Sequence, residues 1–108
     1  MRPLPELETL AEAVQEVMRS NVKDGWNPNR FREMFQTGDD ELTVCNRLIN
    51  YPNMDWLTAA LTKHRNLLLT EDLVARYGER WGFDAPTIQH AKETAAFFDR
   101  MVGDTRYV

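Results

Sequence analysis

One cysteine, Cys45, in 108 residues excludes an internal disulfide, and with it the disulfide-stapled scaffolds of small secreted proteins. No stretch approaches the roughly 18 apolar residues that a membrane-crossing helix needs. The N-terminal stretch 1–9 lacks the basic start and continuous apolar run of a secretory signal. The expectation is a cytoplasmic protein with no membrane partner. Positive charge is also scarce: 13 Lys and Arg face 17 Asp and Glu, for a formal net charge of -4. The nearest approach to a basic cluster is Lys63 with Arg65. Nucleic-acid binding draws on clustered cations that displace counterions from phosphate, so this charge balance disfavours it.

Catalytic and metal-binding patterns are equally sparse. There is no Glu-x-x-His, no His-x-x-x-His, no Gly-rich phosphate loop and no serine nucleophile elbow. The paired acids of helical nucleotide pyrophosphohydrolases are missing as well. His90 and Glu93 lie one turn apart on a helix, but a helical metal site draws carboxylates and histidines from several helices. His64 falls on an apolar stripe, where a satisfied boundary histidine is the ordinary outcome, and Cys45 shares a stripe with Leu42, Leu48 and Ile49, which reads as a buried thiol. No metal and no cofactor are therefore expected. Enzymatic activity is the less favoured reading, open only to a site assembled from distant segments.

What the sequence does contain is helical periodicity. Hydrophobic residues make up 43% and charged residues 28%, as in ordinary globular proteins, and the length suits a single domain over 1–108. Ile88, Ala91, Ala95, Phe98 and Val102 recur at three- and four-residue steps, and Leu73, Val74, Tyr77 and Trp81 offer a matching stripe. Together they predict a C-terminal helical hairpin. Further helices are expected from Pro5 to about Ser20, from Pro28 to Gln36, from Asp39 or Asp40 to before Pro52, from Asn53 or Met54 onward, and from a cap at Thr70. Gly82 and Gly103 are placed to end helices in the left-handed conformation, leaving 104–108 as a frayed tail. The fold expected is all-α: a compact bundle of five or six helices, with the first, fourth, fifth and sixth supplying most of the core.

Two function classes remain. Aromatic residues exceed what narrow helical stripes can hide, and Trp26, Phe83 and Phe97 are the candidates for a protein-binding surface. Trp26 sits in the turn-forming stretch 24–27, and Phe97 points about 100 degrees away from Phe98 along a helix. The leading expectation is a non-catalytic regulatory, inhibitor or adaptor protein that binds another protein or itself. The alternative rests on Val74 to Glu93, where Gly78, Gly82 and apolar Tyr77, Trp81, Phe83, Ile88 and Ala91 stand at set intervals. That spacing resembles the helix-turn-helix of DNA-binding proteins, which needs a small residue where the helices approach and a glycine in the turn. The resemblance implies a groove-facing set with Gln89, His90 and Lys92 as DNA contacts, beside the unhelpful carboxylates of Asp84 and Glu93.

Overall fold

Six helices are present among the described residues (2–27, 29–36, 38–51 and 54–107) of the computed structural model, and no strand: α1 (Leu10–Lys23), α2 (Asn29–Phe35), α3 (Glu41–Ile49), α4 (Asp55–Lys63), α5 (Thr70–Tyr77) and α6 (Ala85–Val102). The Cα radius of gyration, 12.7 Å, is that of one compact body of this length. The fold is thus the expected all-α bundle. Pro28, Pro52 and Asn53, invoked above as helix boundaries, lie outside the described residues.

Local chemistry explains most helix ends. The first helix begins at Leu10, later than expected at Pro5, because Thr9 is the better cap: its Oγ1 accepts the Glu12 backbone N–H at 3.1 Å. Residues 3–7 instead run without helical structure, held by the α5–α6 connection: Trp81 Nε1 donates to the Glu8 carbonyl at 3.0 Å, and the Tyr77 hydroxyl donates to that of Pro5 at 3.3 Å. Asp40 caps α3 through the Thr43 N–H, and Asp84 caps α6 through that of Thr87, each at 2.8 Å. Thr70 is the first helical residue of α5, where a cap was expected; Leu69 occupies the cap position, and the Asp72 carboxylate accepts its N–H at 2.9 Å.

The connection between α5 and α6 closes as expected around a left-handed Gly82 (φ +87°). The Phe83 N–H donates to the Gly78 carbonyl (3.0 Å) and the Gly82 N–H to that of Glu79 (3.3 Å), the paired bonds of a Schellman ending. Gly78 is where the two helices meet. A Cβ there would lie 2.5 Å from the Val74 carbonyl oxygen and 2.8 Å from Ile88 Cγ1.

Two apolar clusters form the core. One gathers Val14 and Val17 of α1, Cys45 and Ile49 of α3, Leu73 and Val74 of α5, and Ala91 of α6. The other joins Leu57 and Leu61 of α4 to Leu67, Leu69 and Phe98. Phe98 is fully buried, which contributes about 1.5–3 kcal/mol relative to an exposed ring. The third helix supplies more of this core than expected, with Val44, Cys45 and Ile49 all buried, since its stripe faces α1, α5 and α6 at once.

The expectation of a frayed tail at 104–108 is overturned for the described residues of that segment. Arg106 is 1% exposed, the largest fully buried side chain. Its guanidinium donates to both Asp72 oxygens (2.6 and 3.0 Å), to Asp99 Oδ1 (2.8 Å) and to the Leu67 carbonyl (3.2 Å). Arg2 pairs its backbone with this segment, donating to the Arg106 carbonyl at 3.1 Å and forming an isolated parallel bridge to Tyr107. One buried cation with its donors satisfied ties down a segment whose composition alone reads as loose.

Candidate functional site

The expected protein-binding residues do not form one surface. Phe83 is buried in the larger cluster, because the Schellman turn folds it inward, and it is unavailable to a partner in this fold. Trp26 is half-buried against the smaller cluster, its ring edge-on to His64 with centroids 5.8 Å apart. Phe97 is 43% exposed on α6, edge-on to the ring of buried Phe98, and Met101 follows one turn later at 37%. The outer strip of α6 therefore changes character along its length. Gln89 and Glu93 occupy its N-terminal part, hydrogen-bonded at 3.3 Å, and Phe97 and Met101 its C-terminal part.

The expected DNA contacts lie on the same helix. Gln89 and Lys92 are exposed, and His90 is half-buried with Nδ1 3.4 Å from Asn50 Oδ1 at the end of α3. Asn50 in turn donates to Thr87 Oγ1 at 3.1 Å. Asp84, Ala85, Pro86 and Glu93 are exposed beside them, so the face that a groove would meet is open and carries two carboxylates. The Gln89–Glu93 pair is worth only about 0.2–0.5 kcal/mol, so an incoming partner displaces it easily.

A cavity of about 360 Å³ lies where the two clusters meet. Val17, Phe31 and Leu48 line it from one side, and Leu57, Leu67 and Leu69 from the other. Its polar lining includes Asn21, Thr70 and Glu71, with Trp26, Asn27 and Asn29 at its solvent-reached edge. Glu71 is 3% exposed. Burial pushes its carboxyl up to about 7; the negative charge of Asp72 adds to the rise, while its own backbone N–H and the charge of Arg106 oppose it. Nothing local to Glu71, an acid in the first turn of α5, marks it for burial. The missed signal is the run Leu67-Leu68-Leu69 just before it, which carries the start of that helix into the core.

Reactive chemistry is muted elsewhere. Cys45 is fully buried, and burial, with the charges of Glu71 and Glu41, pushes its thiol up to about 12, so at neutral pH it carries no nucleophilic thiolate. Among the described residues no three His, Cys, Asp or Glu side chains stand close enough to hold a metal ion. No helix among them is long and apolar enough to cross a membrane. Comparison with protein-family models, with curated proteins and with solved structures found no match to this chain.

Proposed function

We propose that this protein acts without catalysis, by binding another protein or a second copy of itself through the C-terminal part of the outer α6 strip. The observation that carries the reading is the exposure of Phe97, 43%, with Met101 one turn away at 37%. A phenyl ring and a thioether left in water at adjacent turns supply the adaptable apolar contact that helix-in-groove recognition uses. Glu93 and Arg100, exposed on the same helix, would frame that contact with charge. Capture with the wild-type chain and with a Phe97→Ser/Met101→Ser chain, each checked for helical circular dichroism, tests the proposal. The expected result is a discrete partner retained by the first and lost by the second; identical recoveries would refute it.

The helix-turn-helix reading keeps one specific support, the close approach at Gly78 followed by left-handed Gly82, with Gln89 and Lys92 open on the following helix. Net charge and the exposed Asp84 and Glu93 carboxylates weigh against it. Duplex DNA affinity that falls steeply with salt and weakens in Gln89→Ala would favour this reading over the first.

A further inference from the structure

We infer that the cavity between the two core clusters is a binding site for a small amphipathic amine, an alkyl- or arylalkyl-ammonium whose apolar body fills the cavity while its cationic head meets Glu71. The inference is independent of the α6 surface. A volume of about 360 Å³ falls within the range of small-molecule pockets, and its walls are chiefly Val, Leu and Phe side chains. Glu71 is the ionisable side chain in that lining: a carboxyl 3% exposed, hydrogen-bonded to its own backbone N–H and acted on by the charge of Arg106 without a contact ion pair to it. Buried carboxylates ordinarily face a cation or several donors, as Asp72 does with Arg106 and the Leu69 N–H.

With its amide turned over, Asn21 donates its nitrogen to the Val17 (3.2 Å) and Leu68 (3.0 Å) carbonyls, and both ends of that amide are satisfied within the protein. The Glu71 carboxyl is thus the group in this chiefly apolar chamber that calls for a ligand with N–H donors and positive charge. Trp26 at the edge of the cavity adds an indole ring, the aromatic most favourable to cations. Access lies beside it, where Asn27 and Asn29 combine exposure with a place in the lining. Trp26 thereby acquires a role as the wall of an entrance.

The test uses two probes of nearly equal shape, 2-phenylethylamine and 2-phenylethanol, titrated at pH 8 into the isotopically labelled chain, with amide chemical shifts as the readout. In the wild type the amine should bind at least about tenfold more tightly than the alcohol, because a charge-assisted hydrogen bond outweighs a neutral one. Shifts should concentrate at Asn21, Trp26, Leu48 and Glu71. In Glu71→Gln the preference for the amine should vanish while the alcohol still binds. Equal affinity of the two probes in the wild type, absence of amine binding, shifts confined to other residues, or an amine preference that survives in Glu71→Gln would each overturn the inference. The wild-type comparison decides the matter even if the variant does not fold.

Discussion

Arg106 and Asp72, 34 residues apart in sequence, meet inside the protein as a two-pronged ion pair with N–O separations of 2.6 and 3.0 Å. Burial alone would disfavour both charges. Asp72 and Asp99 outweigh that cost for the guanidinium and hold its pKa above the ordinary arginine value, whereas burial raises the Asp72 carboxyl despite Arg106. Removing one partner is therefore worse than removing both. Arg106→Met should cost about 3–5 kcal/mol in chemical denaturation, and the double replacement Arg106→Met/Asp72→Leu should recover part of that loss. A loss no larger in the single variant than in the double one would show that the pair does not anchor the C-terminal segment.

Glu71 gives stability a pH dependence of defined sign. Its carboxyl titrates near 7 in the fold, against an ordinary value of 4.5, so the folded state holds the proton over a window where the unfolded chain has released it. The contribution is fully present below about 4.5, falls as pH rises through 7, and is flat above; its full span is about 3 kcal/mol. Glu71→Gln should leave stability little changed at pH 4.5 and raise it at pH 8. Parallel wild-type and variant stability curves from pH 4 to 8 would contradict this, and the difference between them cancels the opposite trend of the lowered Asp40 and Asp84 carboxyls.

How much of this was legible beforehand follows from the kind of signal each feature leaves. Helices leave a periodic trace, so the stripe from Ile88 to Phe98, the cap at Asp84 and the glycine endings at Gly82 and Gly103 could be read from residue spacing. Competition between two adequate helix starts leaves no such trace. Pro5 and Thr9 both suit a first turn, and the choice fell to Thr9 through its bond to Glu12, while Trp81 and Tyr77 took up the backbone of residues 5–8. The burial of Glu71 and Arg106 is set by segments far apart in the chain, and an isolated Glu or Arg looks alike in sequence whether solvated or enclosed. Phe83 reads from sequence both as a residue that can fold back near Tyr77 and as a candidate surface aromatic, because a residue after a glycine ending can turn either way; in the structure it packs into the cluster with Tyr77.

The meeting of α5 and α6 makes Gly78 intolerant of any side chain. Gly78→Ala places a methyl against the Val74 carbonyl and Ile88 and should destabilise the protein by about 1–3 kcal/mol. Gly82→Ala has open space around the new methyl and only the left-handed backbone to oppose it, at about 1–2 kcal/mol. Adding Ile88→Ala, which removes the Cγ1 carbon that the new methyl meets, should cost less in the first background than in the second, as thermal denaturation of the four chains would measure. Equal effects of Ile88→Ala in both backgrounds would refute the close approach.

Cys45 should behave as a core residue. With no exposed surface and a thiol titrating near 12, it should resist a thiol-specific reagent at pH 8 in the folded protein and react within seconds once denaturant is added. Rapid labelling of the native chain would place the thiol at an accessible position and contradict the packing of α3.

The most direct test of protein binding through α6 is site-specific photocrosslinking. A photoreactive phenylalanine analogue at Phe97, exposed beside Met101, is compared with the same analogue at exposed Glu12 on α1, in the cell that makes the protein. The prediction is a discrete adduct from position 97, either a dimer of this chain or a complex with one other protein, and none from position 12. No adduct at position 97, or equal adducts at both positions, would contradict it.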